Sequence, residues 1–195
     1  MRRLLPTSAL GVALVAGHPS LALAQATAPA HAARTTEAKA AKIVDAIGAG
    51  PASITRHATI KDWPGADGEM AVLRPGTNGW VCVPTPPQNS PSEPDPMCLD
   101  EEWQKRLVAW VTKKPLQVAR TGYAYMLHSH AGSSNTDPYA TKATADNQWH
   151  MVGPHVMVLY PEAWMYQNVS DDPTNGGPYV MYRGTPYAHV MWPVH

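Results

Sequence analysis

The chain lacks several features that mark large classes of protein. Phenylalanine is absent from its 195 residues, although seven Trp and eight Tyr are present. Charged residues make up only 15% of the sequence, its 15 basic and 15 acidic side chains balance, and no basic run occurs. Proteins that bind nucleic acid or an anionic membrane surface carry a basic patch. The composition therefore argues against nucleic acid and an anionic membrane as partners.

No hydrophobic run is long enough to cross a bilayer, which takes about 20 apolar residues. A shorter apolar stretch, "LGVALVA" at residues 10–16, follows the positively charged Arg2 and Arg3. It is followed by Ala22-Leu23-Ala24, the small-x-small pattern that signal peptidase accepts. We therefore predict a cleaved signal peptide and no stable membrane insertion. A retained membrane anchor is the alternative.

The signal peptide defines the expected domain organisation. Residues 1–24 are the signal peptide, residues 25–34 ("QATAPAHAAR") read as a flexible tail, and residues 35–195 form a single globular domain. This length is sufficient for one domain with a hydrophobic core. Export would place that domain in the periplasm or outside the cell, which are oxidising compartments.

The sequence contains only two cysteines, Cys82 and Cys98. In an oxidising compartment such a pair predicts a disulfide. The bond would close a loop of residues 83–97, which is rich in Pro, Asn and Ser. The loop-closure entropy of a loop of about 15 residues stabilises the folded chain by about 3 kcal/mol. A metal-binding thiolate pair is the alternative. The spacing is too wide for a CxxC redox motif.

Two segments have the apolar periodicity and the end signals of helices. The first covers residues 35–48 and stops at Gly48, ahead of Pro51. The second begins after Asp100, a good N-cap, and ends before Pro115. Its apolar face repeats at i, i+4, i+7 and i+8, with Trp103, Leu107, Trp110 and Val111. We predict that this face packs on the core.

Short alternating segments predict strands. Residues 58–63 read as one strand, and residues 71–74 and 80–83 read as a hairpin around a turn rich in Gly and Asn. From residue 118 onward the period is two, and residues 178–193 read as a closing hairpin. The expected fold is α+β: a mainly antiparallel sheet with two helices, in a single domain with a disulfide-stapled loop.

Several long motifs are distributed over residues 51–194. They are "RPGTNGWVC" (74–82), "PMCLD" (96–100), "SNTDP" (134–138), "GPHVM" (153–157) and "GGPYVMYRGTPYAHVM" (176–191). Together they resemble a family of uncharacterised exported bacterial proteins. The resemblance implies a bacterial, periplasmic or secreted protein and no particular activity. The family pattern reads YMLxGG where this chain reads YMLHSH, which places His128 and His130 outside any function common to the family.

Histidine precedes methionine by two residues at two places near the C-terminus. In a strand, residues i and i+2 face the same side. His155 therefore shares a face with Met157, and His189 with Met191. Imidazole and thioether are ligands that suit Cu(I), so the convergence of the two pairs predicts a copper or other soft-metal site. The alternative is a methionine-rich core in which each imidazole donates to a backbone carbonyl.

A second histidine pair, His128 and His130, lies at the end of the strand predicted for residues 122–130, on the same face as Met126. The spacing after Gly122 loosely resembles the first half of a cupin motif, although the acidic residue that should follow is missing. His150 would complete a three-histidine zinc or iron site. The alternative is a pair of surface histidines at a loop entrance.

Asp137 is the candidate partner of a catalytic histidine. An acid–base pair with His155 or His189 needs only proximity and a tuned pKa. A hydrolase triad would add the hydroxyl of Ser133 or Ser134, but the chain has no GxSxG motif. In the alternative interpretation Asp137 holds a turn through hydrogen bonds to the backbone.

Tyrosines near the C-terminus suggest an aromatic cleft. Tyr187 is the chosen binding candidate among a group that also includes Tyr139, Tyr179, Tyr182 and Trp192. Ligand sites are often aromatic-walled with few polar groups. The sequence therefore favours an exported protein that binds an unidentified small molecule or a soft metal. A metal-dependent or acid–base enzyme, either a hydrolase or cupin-like, is the alternative.

Overall fold

The computed structural model describes residues 27–194, with side-chain exposure from residue 32 onward. The predicted signal peptide, residues 1–24, lies outside the described residues. The chain divides into two units at Thr35, and of the first unit only residues 27–35 are described. The second unit begins at Thr36 and contains all the elements described below except the first turns of helix α1. Among the described residues, no helix is long and apolar enough to span a membrane.

The described residues contain three α-helices and a 3₁₀ turn. They are α1 (Thr27–Ile47), α2 (Ala52–Thr55), α3 (Glu101–Thr112) and the 3₁₀ turn Ala163–Tyr166. Helix α1 begins eight residues before the predicted start at Thr35, so residues 27–34, expected as a flexible tail, form its first turns. The one-turn helix α2 was too short to give a periodic signal.

Ten strands form two sheets in the described part of the chain. They are β1 (Thr59–Lys61), β2 (Val72–Arg74), β3 (Val81–Val83), β4 (Met97–Leu99), β5 (Gly122–Met126), β6 (Ala131–Ser134), β7 (Trp149–Val152), β8 (His155–Leu159), β9 (Tyr179–Met181) and β10 (His189–Pro193). Eight strands make one sheet in the order β2-β1-β3-β4-β5-β8-β10-β9, and β6 pairs with β7. Only the β1–β3 pair is parallel, so the predicted α+β fold with a mainly antiparallel sheet is confirmed.

The predicted hairpin between β2 and β3 is wrong, because β1 lies between these two strands. The connecting segment passes across the start of β1, where the amide of Thr77 donates to the His57 carbonyl over 2.8 Å. A side chain at Gly76 would overlap the backbone of Ala58 and Thr59. Gly76 therefore allows the two backbones to approach each other closely. The segment rich in Gly and Asn was wrongly predicted to be a hairpin turn.

The predicted cap and core-facing side of α3 are both confirmed. One oxygen of the Asp100 carboxylate accepts from the Trp103 amide over 3.0 Å. Its other oxygen accepts from the Tyr123 amide over 2.6 Å, which ties the start of α3 to β5. Trp103 and Leu107 are buried against the sheet. The helix ends where Lys113 adopts a left-handed conformation with φ of 54°.

The predicted disulfide between Cys82 and Cys98 is present. The two residues face each other directly across the β3–β4 pair. They belong to the apolar cluster that includes Ile60 and Ala46, while the neighbouring residues Val81, Val83 and Leu99 point to the side of the sheet that packs on α3. The two faces of the sheet therefore have separate cores, one stapled by the disulfide and one covered by α3.

Candidate functional site

The register of the C-terminal strands brings the histidine–methionine pairs to one face of the sheet. Met157 lies opposite Met191 across the β8–β10 pair, and Met181 lies opposite His189 across β9–β10. Directly opposed residues share a face, as do residues two apart on one strand. His155 therefore lies on this face as well, and it is the face that α3 covers.

The two histidines nevertheless lie at opposite ends of the strand pair. His155 is aligned with Pro193, four residues beyond His189. At about 3.4 Å per residue, this offset separates their Cα atoms by about 14 Å along the strands. Met157 and Met191 occupy the space between them. His155 and His189 are therefore not placed side by side as two ligands of one small ion.

A cavity of about 190 Å³ lies between α3 and this face of the sheet. We call it the α3 cavity. Its wall contains all four residues of the two histidine–methionine pairs. The methionines that line it are Met97, Met126, Met157, Met181 and Met191, and the tryptophans are Trp63, Trp103 and Trp110. Polar side chains interrupt this wall, among them Asn89, Asp95, Arg106, Ser133 and Tyr182.

Arg106 is the polar residue of the α3 cavity that the sequence analysis missed. Its side chain is only 8% exposed. Its Nη2 donates to the Tyr187 carbonyl over 2.9 Å and lies 3.1 Å from His189 Nδ1. Its Nε has no hydrogen-bond partner in the described part of the chain. Burial lowers the pKa of Arg106 to about 10, so the guanidinium stays charged at neutral pH.

A signal for Arg106 was present in the sequence. It stands three residues after Trp103 and four before Trp110, inside the apolar stripe of α3. Long charged residues on such a stripe usually bury only their stems and extend the charged group to solvent. Here the guanidinium itself is buried, because the Trp103 ring centroid lies 4.7 Å from Arg106 Cζ and covers it.

Both cavity histidines are neutral imidazoles. His155 Nδ1 lies 2.7 Å from the Gly153 carbonyl and His189 Nδ1 lies 2.9 Å from the Tyr187 carbonyl. The Gly153 carbonyl only accepts, so His155 Nδ1 carries the proton and its Nε2 a lone pair. His189 Nδ1 faces both an acceptor, the Tyr187 carbonyl, and a donor, Arg106 Nη2. Burial lowers the pKa of His155 to about 4. Burial, together with the charge of Arg106, lowers the pKa of His189 well below its usual value.

Asp95 is a second polar residue of the cavity wall that the sequence analysis missed. It lies in the Pro-rich loop before β4, where no periodic pattern assigns a side chain to a face. Ser129 Oγ donates to its carboxylate over 2.6 Å. Burial raises the pKa of Asp95 to about 6 despite this hydrogen bond. The carboxyl therefore titrates close to neutrality.

Tyr182 lines the same cavity in an unusual backbone conformation. Its φ is 58°, in the left-handed region that bulky residues rarely adopt. Its amide donates to the Asn135 carbonyl over 2.8 Å, and its hydroxyl lies 3.4 Å from Ser133 Oγ. Strained conformations of this kind concentrate at functional sites. The centroid of the Tyr182 ring lies 5.5 Å from that of the His189 ring.

Asp137 and Tyr187 do not line the α3 cavity. Asp137 is exposed, and its carboxylate accepts from the Tyr139 amide over 2.9 Å, so it holds a turn as in the alternative interpretation. Tyr187 is buried, and its hydroxyl bonds to that of Tyr139 over 3.0 Å. Its contribution to the cavity is the backbone carbonyl, which accepts from Arg106 and lies 2.9 Å from His189 Nδ1.

The predicted site at His128 and His130 does not form. Strand β5 ends at Met126, the chain turns at the next residue, and both histidines are exposed. Among residues 27–194 no group of three or more His, Cys, Asp or Glu side chains is placed to hold a metal ion. His150 instead bonds to the Tyr179 hydroxyl over 3.1 Å. The three-histidine zinc or iron site is therefore wrong.

Comparison of the chain with family models, with curated proteins and with solved structures finds no match. The resemblance of its motifs to exported bacterial proteins stays a prediction. The functional argument accordingly depends on the cavity and on the chemistry of the side chains around it.

Proposed function

We propose that the chain is an exported binding protein that holds a small ligand in the α3 cavity. One observation carries the proposal: Arg106 Nε, Trp103 Nε1 and His155 Nε2 are buried without hydrogen-bond partners in the described residues. All three residues line the same cavity. Buried polar groups are rarely left unpaired in native proteins. Three of them on residues that line one cavity favour this cavity as the place where a ligand binds.

The proposed export draws on two features of the chain. The N-terminal pattern of residues 1–24 is typical of a signal peptide. The disulfide between Cys82 and Cys98 suits an oxidising compartment. Both features favour a periplasmic or secreted protein.

Binding can be tested with small probes and the intrinsic fluorescence of the chain. Trp63, Trp103 and Trp110 line the cavity, so a bound molecule should change their emission. The probes are benzoate, benzyl alcohol and benzylamine, single rings that carry a negative, a neutral and a positive group. We expect saturable binding of at least one probe, together with a rise in melting temperature by mass action.

A cavity-filling variant locates the binding. Ala131 is buried in the cavity wall, so Ala131→Leu should abolish the fluorescence response. Ala188→Leu is the matched control, because Ala188 packs in the separate cluster around Tyr166. The proposal fails if no probe and no Cu(I) gives a saturable response that Ala131→Leu removes. Thermal unfolding of both variants verifies that each is folded.

Soft-metal binding is a second candidate, which the sulfur content of the cavity wall favours. His155 lies opposite Met126 across the β5–β8 pair, and Met157 is two residues along the same strand. His155 Nε2 carries an unpartnered lone pair. A neutral imidazole with thioethers suits Cu(I). The guanidinium beside His189 repels a cation, so this candidate is centred on His155 and Met157 and leaves His189 out.

A Cu(I) titration against a competing chelator tests the second candidate. We expect His155→Ala and Met157→Leu each to weaken the affinity at least tenfold. Met151→Leu is the control, because Met151 is exposed and lies outside the cavity wall. Wild-type affinity in both cavity variants would remove copper as a ligand.

A further inference from the structure

Arg106 is a buried charge to which the described residues offer no counter-charge. The ion pairs that they contain involve Lys42, Lys105, Arg120 and Arg183, and no carboxylate lies within 4.0 Å of Arg106. An ionised group away from water is costly unless it is paired and hydrogen-bonded. One neutral carbonyl, that of Tyr187, accepts from it. The electrostatics around Arg106 therefore favour an anion.

The surroundings of Arg106 add donors to this positive charge. Trp103 Nε1 is a donor only, it lies in a side chain that is 1% exposed, and it has no partner among the described residues. The rings of Trp103 and Tyr187 lie 4.7 Å and 5.8 Å from Arg106 Cζ. These rings fix the plane of the guanidinium by cation–π contact. Oriented donors near a fixed charge are the usual means of holding a carboxylate.

We propose that the α3 cavity binds a small monocarboxylic acid with a compact apolar body, and that Arg106 holds its carboxylate. This inference rests on the binding function proposed above and names its ligand class. The cavity of about 190 Å³ is somewhat larger than the engineered cavity of about 150 Å³ that accommodates benzene. One ring with one carboxylate is therefore the size that fits. The methionines and tryptophans of the wall form the apolar contact for the ring.

The charge balance of the cavity favours one negative charge on the ligand. Arg106 is the only charged cation among the lining residues, because His155 and His189 are neutral. Asp95 lines the same cavity, and its carboxylate repels a second negative charge. Arg106 can pair with one carboxylate group of a ligand. A second negative charge, on a phosphate or a dicarboxylate, would find no further cation among the lining residues.

The three ring probes separate charge from shape. Benzoate, benzyl alcohol and benzylamine have similar bodies, so differences in affinity report the charged group. We expect benzoate to bind the full chain at least tenfold more tightly than benzyl alcohol, and benzylamine to bind least. Equal affinity for benzoate and benzyl alcohol would overturn the carboxylate inference and leave the binding function standing. Failure of all three probes would remove the carboxylate inference, and failure of Cu(I) as well would remove the binding function.

Variants of Arg106 assign the preference to one residue. Arg106→Met should abolish the advantage of benzoate over benzyl alcohol, while Arg106→Lys should keep part of it because the charge remains. Arg120→Met is the matched control, since Arg120 is exposed and pairs with Glu101 far from the cavity wall. Retention of the benzoate preference in Arg106→Met would contradict the proposal.

The stability of Arg106→Met distinguishes a binding role from a structural one. A residue held in place for binding is costly to the fold, so an apolar replacement of similar length should melt at the same or a higher temperature. A structural arginine would show a lower melting temperature on the same replacement. If Arg106→Met does not fold, the Arg106→Lys titration carries the test alone: a reduced but measurable preference for benzoate supports the proposal, and a preference equal to that of the wild type contradicts it.

Discussion

At the scale of single residues, the account depends on groups whose burial changes their chemistry. His155 is 3% exposed and surrounded by thioethers and a backbone carbonyl. Arg106 keeps its charge in a comparable environment. The sequence correctly predicted which face His155 and Met157 share, because the period of a strand is two. It did not predict Arg106, because whether a long side chain on an apolar stripe reaches solvent depends on the rings that cover it.

The depressed pKa of His155 predicts a pH dependence of stability. Its pKa is about 4 in the folded chain and 6.5 when exposed. The folded pKa is the lower one, so the associated stability is complete above pH 6.5 and is lost as the pH falls toward 4. Between pH 7 and pH 5 the loss from this one group is about 2 kcal/mol.

Urea unfolding at pH 7 and pH 5 measures this effect. His155→Leu should show a smaller loss of the free energy of unfolding between the two pH values than the wild type does. His57→Leu is the control, because His57 is exposed. An identical loss of the free energy of unfolding in the wild type and in His155→Leu would show that the pH dependence arises from other groups. Asp95 acts in the opposite direction, since its raised pKa of about 6 removes stability as the pH rises.

At the scale of elements, α3 is the part that makes the cavity, because it contributes Trp103, Arg106 and Trp110 to the wall. Asp100 positions it at two points, through the amides of Trp103 and Tyr123. Removing an N-cap side chain costs about 1 kcal/mol, and up to about 2 kcal/mol in proteins. Asp100→Ala should lose at least this amount in urea unfolding, because the Tyr123 amide is also left unpaired.

Asp100→Asn is the matched variant for this prediction. It keeps one side-chain oxygen to accept from the Trp103 amide, so it should fall between the wild type and Asp100→Ala. Equal stabilities for Asp100→Ala and the wild type would mean that packing alone holds α3. The cap was readable from the sequence because it is local, whereas the bond to Tyr123 depends on a sheet pairing more than twenty residues away.

The difference between local and long-range contacts also explains which elements were predicted and which were not. The α3 helix and the closing hairpin of β9 and β10 are set by neighbouring residues and by turn chemistry. The Cys82–Cys98 bond was predictable because the chain has only two cysteines. The order of β1, β2 and β3 is set by contacts between segments, and the sequence period does not encode it. The alternating sequence pattern continues beyond Met126, but the strand ends there and the chain turns. The prediction therefore placed His128 on a strand that does not reach it.

At the scale of the whole molecule, the sheet separates the disulfide from the cavity. Cys82 and Cys98 pack with Ile60, on the face opposite α3. Replacing both cysteines with alanine should lower the free energy of unfolding by about 3 kcal/mol, the loop-closure contribution. Probe affinities of the folded variant should be unchanged, because neither cysteine lines the cavity. A loss of stability together with a loss of probe binding would instead show that the two cores are coupled.

The most direct measurement is a crystal structure of the chain grown with benzoate. The account predicts the ring in the α3 cavity between Trp103 and the methionines of β8 and β10, with the carboxylate at hydrogen-bond distance, about 3 Å, from Arg106. A cavity without benzoate, with the probe on the surface or absent, would contradict it. A ring in the cavity with its carboxylate turned away from Arg106 would contradict the assignment of the ligand class.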